Sequence, residues 1–517
     1  MEALRVEQCI FEGDKGIKEL FEFIQSNAGS YEAYDMEKAI LAKVLKIGLA
    51  AMRCYFAERG TGDVGTELEL EDGTILRRES GLRGRDYFSV FGKVKIPRSC
   101  YRTEGHIGVM PLDAQANLPE RCYSYLLQEW MDLLSLRDTF GEAQVSLEKL
   151  LGLKVSTSRL EIVNRESSGH YDEFYQEKKI SSSDSEGQIQ VVGFDGKGVP
   201  VIKKEAAKIQ ARCGKGEKRQ KKKEAMVGVS YTVDQKVRTP EQVAKNLIYP
   251  ERSAEKKSKD DEDTSNVHAQ NVRRLASLER SKQEVVKQIV DDAQKRDPEH
   301  KRPWVVVMDG ALHLWTLVAR ILKGVDYVGI LDIIHVVEYL WKASNALHGE
   351  KNPEGKRWVY DHLLSILQGR VGRVIGGLKQ TMSKQKLKKS QQKAIEDVLC
   401  YFDNHRKWMQ YDQYLQAGYP IGTGVVESTC GHTVKDRMEG TGRRWSIQGA
   451  ESTLLLRSVY TSGDWIAFWN LHVAKEKERL YAQTLLAVQA SSNWEQGVSI
   501  TQSQDQTEAT VTWGLLN

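Results

Sequence analysis

The 517-residue chain lacks any uninterrupted apolar run of about 18 residues, the length a helix needs to cross a bilayer, so no segment reads as a membrane span. Its first twenty residues mix charges into every turn, which excludes the basic-then-apolar order of a secretory signal and leaves the cytoplasm as the expected location. Cysteine is scarce. The seven, Cys9, Cys54, Cys100, Cys122, Cys213, Cys400 and Cys430, are odd in number and form no Cys-x-x-Cys pair, which argues against a disulfide framework or a zinc ribbon and for reduced thiols. A strong excess of one charge is missing too, with 75 Lys and Arg against 71 Asp and Glu. The balance hides a local polycation: between Lys203 and Ala225 ten Lys or Arg stand against three Glu. Hydrophobic residues make up 40 %, enough for real cores, and a chain this long divides into two or three domains.

Helical apolar spacing (Ile17, Leu20, Phe21, Ile24; Leu41, Val44, Leu45, Leu49, Met52) predicts two helices before residue 60. From Thr66 to about Arg102 the texture alternates around Asp-Gly and Phe-Gly-Lys turn signals, as in a small antiparallel ribbon. Helical periodicity returns from Leu126 to about Gln176. There, a break at Gly152 and a second helix opening at Ser156 or Thr157 suit either a helix-turn-helix offering Thr157, Ser158 and Arg159 to DNA or an ordinary helical hairpin. A polar stretch near Ser181 closes this amino-terminal α+β region, residues 1–180.

Beyond it the pattern becomes α/β. QVVGFDGKGVPVI and AMVGVSYTVD read as strands flanking the polycation; VRTPEQVAKNLIY is a candidate third strand, and a long helix is expected from about Val267 to Lys295. Then come WVVVMDG and YVGILD, near-continuous apolar runs of the kind covered on both faces of a parallel sheet, each followed by a helix. The expected layout is a core over 186–343, a helical insertion over 344–419, the last part of the core over 420–485, and a disordered Ser/Gln/Thr-rich tail over 486–517.

Three acidic residues stand at element ends: Asp195, Asp309 and Glu427. A carboxylate at the carboxyl end of a buried strand points into the crevice where open α/β sheets bind ligands. Asp-Gly after a strand is also simply a turn signal, but two such Asp residues on neighbouring parallel strands are close like charges, tolerated chiefly with a divalent cation between them. With Glu427 they form an oxygen-donor set suited to Mg²⁺, or Mn²⁺, and to phosphodiester cleavage with two ions. Asp332 also ends a strand and is the alternative to Asp309. His335 lies one helical turn before Tyr339 and, by itself, reads as a partly buried helix histidine. Cys430 and His432 lack a second ligand pair for zinc.

The runs GFDGKG, LDIIHVVEYLW, GYPIGTGVVEST and KDRMEGTGRRWS resemble bacterial insertion-sequence transposases of the ISKra type, relatives of the Mutator-like DDE group. The likeness runs from about Arg77, through FGKVKIPRSCYRT and PLDAQANLPERCYS, to about Arg457. It implies a ribonuclease H-like catalytic core with a mixed five-stranded sheet. It also implies Asp195, Asp309 and Glu427 as the catalytic, metal-binding triad, and Asp332 with His335 as an auxiliary pair that braces the site or contacts DNA. The implied activity is cleavage and strand transfer at the terminal inverted repeats of an element. Two ends must be handled together, so a homodimer or larger assembly is expected.

The polycation, with Lys218, Arg219, Lys221, Lys222 and Lys223, is placed to lie along phosphates, each neutralised phosphate adding about 0.9 to the salt slope of binding. Arg437, Arg443 and Arg444 are placed to grip a strand near the scissile bond, and Trp445 suits base stacking or, equally, a core. Reading of the repeats falls to the amino-terminal half.

Overall fold

The structure is a computed structural model that describes residues 3–179, 186–208, 222–250 and 268–491. Its residues divide into two compact units. One holds 1–131, 144–155 and 471–517; the other holds 132–143 and 156–470. No described helix is long and apolar enough to cross a membrane.

The first unit opens with the two expected helices, α1 (Val6–Asn27) and α2 (Ala33–Glu58). The alternating stretch forms β1 (Glu67–Glu69), β2 (Ile75–Arg78), β3 (Arg83–Ser89), β4 (Gly92–Arg98) and β5 (Tyr101–Arg102). They pair as a three-stranded sheet β1-β2-β5 and a hairpin β3-β4. Phe56 of α2 is buried with Val94 and Ile96 of β4, and Gly48 lies so close to the Phe91 ring that a Cβ there would stand 2.4 Å from it. The final described helix, Trp465–Ala490, adds Ala487 and Val488 to the core formed by Leu68, Leu76 and Tyr101. Residues 486–490, expected in a disordered tail, are therefore helical because they bury apolar side chains; the rest of that tail from residue 492 lies outside the described residues.

The second unit is mixed α/β around a five-stranded mixed sheet. Its strands are β6 (Ile189–Pro200), β7 (Lys222–Val233), β8 (Gln270–Ser277), β9 (Trp304–Met308) and β10 (Val328–Leu331), in the order β10-β9-β6-β7-β8. β10, β9 and β6 are mutually parallel; β7 runs antiparallel to both β6 and β8. Both faces are covered, as the apolar runs require. Gly228 admits Ile289 of the Lys282–Arg296 helix on one face, while Gly193 admits Val426 on the other. Cross-strand partners share a face and neighbours alternate. The pairs Gly193↔Val229 and Phe194↔Gly228 thus set these two helices on opposite sides.

Two expectations fail in this unit. VRTPEQVAKNLIY is not the third strand but a helix, Pro240–Ile248, opened by a Thr239/Gln242 capping box with proline in its first turn. The third strand is β8, inside the stretch read as the start of a long helix, and that helix begins only at Lys282 behind a Ser281/Glu284 capping box. Burial of Leu275 and Ala276, together with Arg273 seated on the Tyr171 and Tyr175 rings, holds β8 extended.

After β10 the Ile333–His348 helix leads into the helices Pro353–Leu367, Val371–Lys384, Lys389–His405 and Tyr411–Gln416. Their apolar faces merge with the sheet in one core that runs from Val305 and Ile330 through Leu340, Leu363 and Phe402 to Val426.

Candidate active site

β6 and β9 pair in parallel up to Phe194↔Met308, so the next residues, Asp195 and Asp309, stand side by side where that pairing ends; β6 does not stop at Asp195 as its Asp-Gly suggested but runs on to Pro200, held extended by its pairing with β7. Both are half-buried. Asp195 accepts from the Gly196 N–H at 2.6 Å through Oδ1 and from the Cys430 thiol at 3.2 Å through Oδ2. Asp309 Oδ1 accepts from the Ala311 N–H at 3.0 Å. Trp315 Nε1 donates to the Asp309 carbonyl at 2.8 Å, and His405 Nε2 lies 2.8 Å from the Gly310 carbonyl. Gly310 has to be glycine here, because a Cβ would meet the Tyr401 ring at 2.3 Å. The helical insertion, which carries Tyr401 and His405, thus shapes the turn that presents Asp309.

Glu427 is exposed on the short helix Gly424–Thr429, which continues into a π-helical stretch, Cys430–Lys435. Such wide turns recur at functional sites because they re-aim side chains. Cys430 lies one turn beyond Glu427, so its bond to Asp195 ties the Glu427 segment to the first strand. Desolvation raises the Glu427 pKa, and the charges of Asp332, Glu338 and Asp195 push it further while His335 opposes them. Like charges near one another disfavour the ionised form, and the largest such charge on Glu427 is that of Asp332.

Asp332 is built differently. Fully buried, it accepts through Oδ1 from the N–H groups of Thr423 at 3.0 Å and Ile334 at 3.3 Å, and its Oδ2 lies 2.7 Å from His335 Nδ1. Thr423 in turn accepts from the Glu427 N–H at 2.9 Å, so Asp332 braces the turn from which Glu427 projects. The carboxylate bond raises the His335 pKa to about 9 against the pull of burial, with further help from Glu338 and Asp309. Glu338, one turn after His335 on the same helix, was absent from the residues expected here. Nothing but its i+3 spacing from His335 would have singled out an exposed helix glutamate.

Among the described residues no three His, Cys, Asp or Glu side chains are drawn together closely enough to hold a metal ion. The carboxylates of Asp195 and Asp309 are turned instead to neighbouring donors. The donor chemistry nonetheless fits a hard divalent cation: oxygen ligands only, half-exposed, with mutual repulsion that a cation would offset.

The basic residues divide. Lys218, Arg219 and Lys221 lie outside the described residues. Lys222 is exposed but paired with Glu439 at 2.7 Å; Lys223 is half-buried. Arg437, expected on DNA, is instead 2 % exposed: its Nε donates to the Ser135 carbonyl at 2.8 Å and its guanidinium lies over Phe140 and Trp445, at 5.1 and 4.5 Å from the ring centroids. Trp445 is likewise core, with backbone bonds to Pro200 and Ile202 beside β6. Apolar packing outweighs solvation for both, which corrects the gripping and stacking roles. Arg443 is half-buried and bonds to the carbonyls of Asp436 and Arg437, and Arg444 alone of this group is exposed. We expect Trp445→Ala to lower unfolding stability by about 3–5 kcal/mol, the range for truncating a buried indole; denaturant melts measure it, and a change under about 1 kcal/mol would return Trp445 to the surface.

Thr157, Ser158 and Arg159 are exposed at the start of the helix Thr157–Ser167, as expected. The opposite side of that helix is held to the second unit by the bond of Asn164 to Thr453 at 2.9 Å. The helix before it, Phe140–Leu151, is divided, its first turn belonging to the second unit and its remainder to the first.

No protein-family model matches the chain, and no curated protein matches it.

Cys430 offers a test of how Asp195 is held. Outer partners of metal ligands are worth roughly 10–100-fold in affinity or activity. Were Asp195 a metal ligand in a cleaving enzyme, Cys430→Ala would lower metal-dependent cleavage by about tenfold, and Cys430→Ser, which keeps a donor, would restore most of it. Equal loss in both variants would reduce Cys430 to a packing residue.

Proposed function

We propose that the chain is a DNA transposase with a ribonuclease H-like core, one that binds the terminal inverted repeats of its element, cleaves at their ends and joins them to target DNA. The strand arrangement supports the core: counted along the chain, strands one, four and five run parallel, two runs antiparallel, and the order is 5-4-1-2-3. One observation carries the reading. Asp195 and Asp309 stand where the parallel pairing of strands one and four ends, strand one itself running on to Pro200, and the Glu427 segment is tied to strand one through Cys430.

Asp195, Asp309 and Glu427 would hold Mg²⁺ or Mn²⁺, two ions in full complement. Such ions, when bound, lower the pKa of the attacking water or 3′-hydroxyl and offset charge on the leaving oxygen. The protein supplies position. Asp195 is fixed by Gly196 and Cys430, Asp309 by its turn and the insertion, and Glu427 by the Asp332–Thr423 brace. Asp309 is favoured as the second ligand because Asp332 is fully buried with both oxygens engaged. His335, half-exposed and held as a cation by Asp332, faces the same edge with a positive charge for a phosphate.

Arg444 and the basic stretch before β7 would contact the DNA backbone, and handling two ends together implies a dimer or larger assembly. The deciding experiment supplies pre-cut repeat ends and a target plasmid with Mg²⁺. Joined products are expected. Hydrolysis without joining would indicate a nuclease or resolvase, and binding without either an inactive transposase-derived DNA-binding protein.

A further inference from the structure

The α1–α2 hairpin leaves an apolar face open. Of the nineteen large hydrophobic residues exposed among the described residues, nine fall between Ile10 and Tyr55, whereas only Cys9, Ala50 and Phe56 of these two helices are buried. The exposed set is not scattered. On α1, Ile10, Ile17 and Phe21 are spaced by seven and four; on α2, Tyr34, Leu41 and Val44 are spaced by seven and three, the intervals of a coiled-coil seam.

The helices pair through a different surface. Gly16 lies close to Ile47, with 3.1 Å from a would-be Cβ to Ile47 Cγ1, and Glu12 bonds Arg53 at 3.1 Å. These contacts fix an antiparallel register that brings Ile17 and Phe21 about level with Leu41 to Ile47. With 100° per residue, the two exposed rows then lie on the same side of the hairpin.

We infer that this face binds the same face of a second copy of the chain, forming an intermolecular four-helix bundle. Charge favours that occupant. Within its bounds α1 carries five acidic and two basic residues, net −3, and α2 three acidic and four basic, net +1, so a two-fold arrangement that sets each α1 against the partner's α2 is attractive on both sides. Size agrees as well. At 44–64 % exposure the six named seam residues present on the order of 600 Å², close to the ~800 Å² each partner removes in a stable interface. The pairing rests on the helices alone and does not depend on the catalytic reading.

Sedimentation velocity of the full-length protein at micromolar concentration tests it. The wild-type chain should sediment as a dimer, and Phe21→Glu with Leu41→Glu should sediment as a monomer with an unchanged circular dichroism spectrum, since both sites are exposed; its melting midpoint should lose the concentration dependence that dimerisation gives the wild type. Ile17→Lys, a single change on the same face, should weaken the dimer at least tenfold. A monomeric wild-type protein, or a dimer that survives these substitutions in folded protein, would overturn the inference.

Discussion

Asp195→Ala and Glu427→Ala should each abolish metal-dependent cleavage of repeat DNA while changing repeat binding by no more than a few-fold. The expectation follows from where the two carboxylates stand. Asp195 lies on the central strand beside Asp309 where the parallel pairing ends, and the Glu427 pKa is raised first by burial and further by the charges of Asp332, Glu338 and Asp195. Partners that merely orient a ligand are worth about 10–100-fold, so a ligand itself should be worth at least about 100-fold. Binding should survive because both side chains lie at the sheet edge and neither fills the core. Gel-shift and cleavage assays on the same preparations separate the two effects. Retained cutting in either variant would remove that residue from the site.

Asp332→Ala should instead damage the fold. It strips an acceptor from the N–H groups of Thr423 and Ile334, each worth about 1–3 kcal/mol when left unsatisfied, and it takes the anion from His335. A loss of about 3 kcal/mol is expected, with cleavage falling as the Glu427 turn loosens. Asp332→Asn keeps an acceptor and should retain much of the stability. The pair also sets a pH dependence. Because the folded pKa of His335 is raised to about 9 from 6.5, its contribution is fully present below about pH 6.5 and is lost as pH rises through 9. At 36 % exposure solvent screens part of that contribution. Wild-type stability should fall across this window and that of Asp332→Asn should not; parallel profiles would contradict the assignment.

How much of this was legible in the residues depended on the range of the signal. WVVVM and YVGIL announced buried parallel strands because both faces of each strand are covered, and Asp309 and Glu427 were marked by their place near element ends; Asp195 was read the same way, but its strand runs on to Pro200 because β7 pairs with it there. β8 was missed because its burial comes from distant partners, Tyr171 and Tyr175 among them, although the capping boxes Ser281/Glu284 and Thr239/Gln242 were there to be read. Arg437 and Trp445 looked like DNA contacts because charge and aromaticity show in sequence while the Phe140 that covers them does not. The boundary near Ser181 was drawn on local polarity, which cannot reveal that residues 471–490 pack with the first unit.

The central claim is that Asp195 and Asp309, not Asp332, hold the ion with Glu427. Crystals grown with Mn²⁺ and repeat DNA, recorded for anomalous scattering, would test it most directly. The expected map has a peak about 2.1 Å from carboxylate oxygens of Asp195 and Asp309, with Glu427 turned toward the same position. A peak coordinated by Asp332, or none near Asp195, would contradict it.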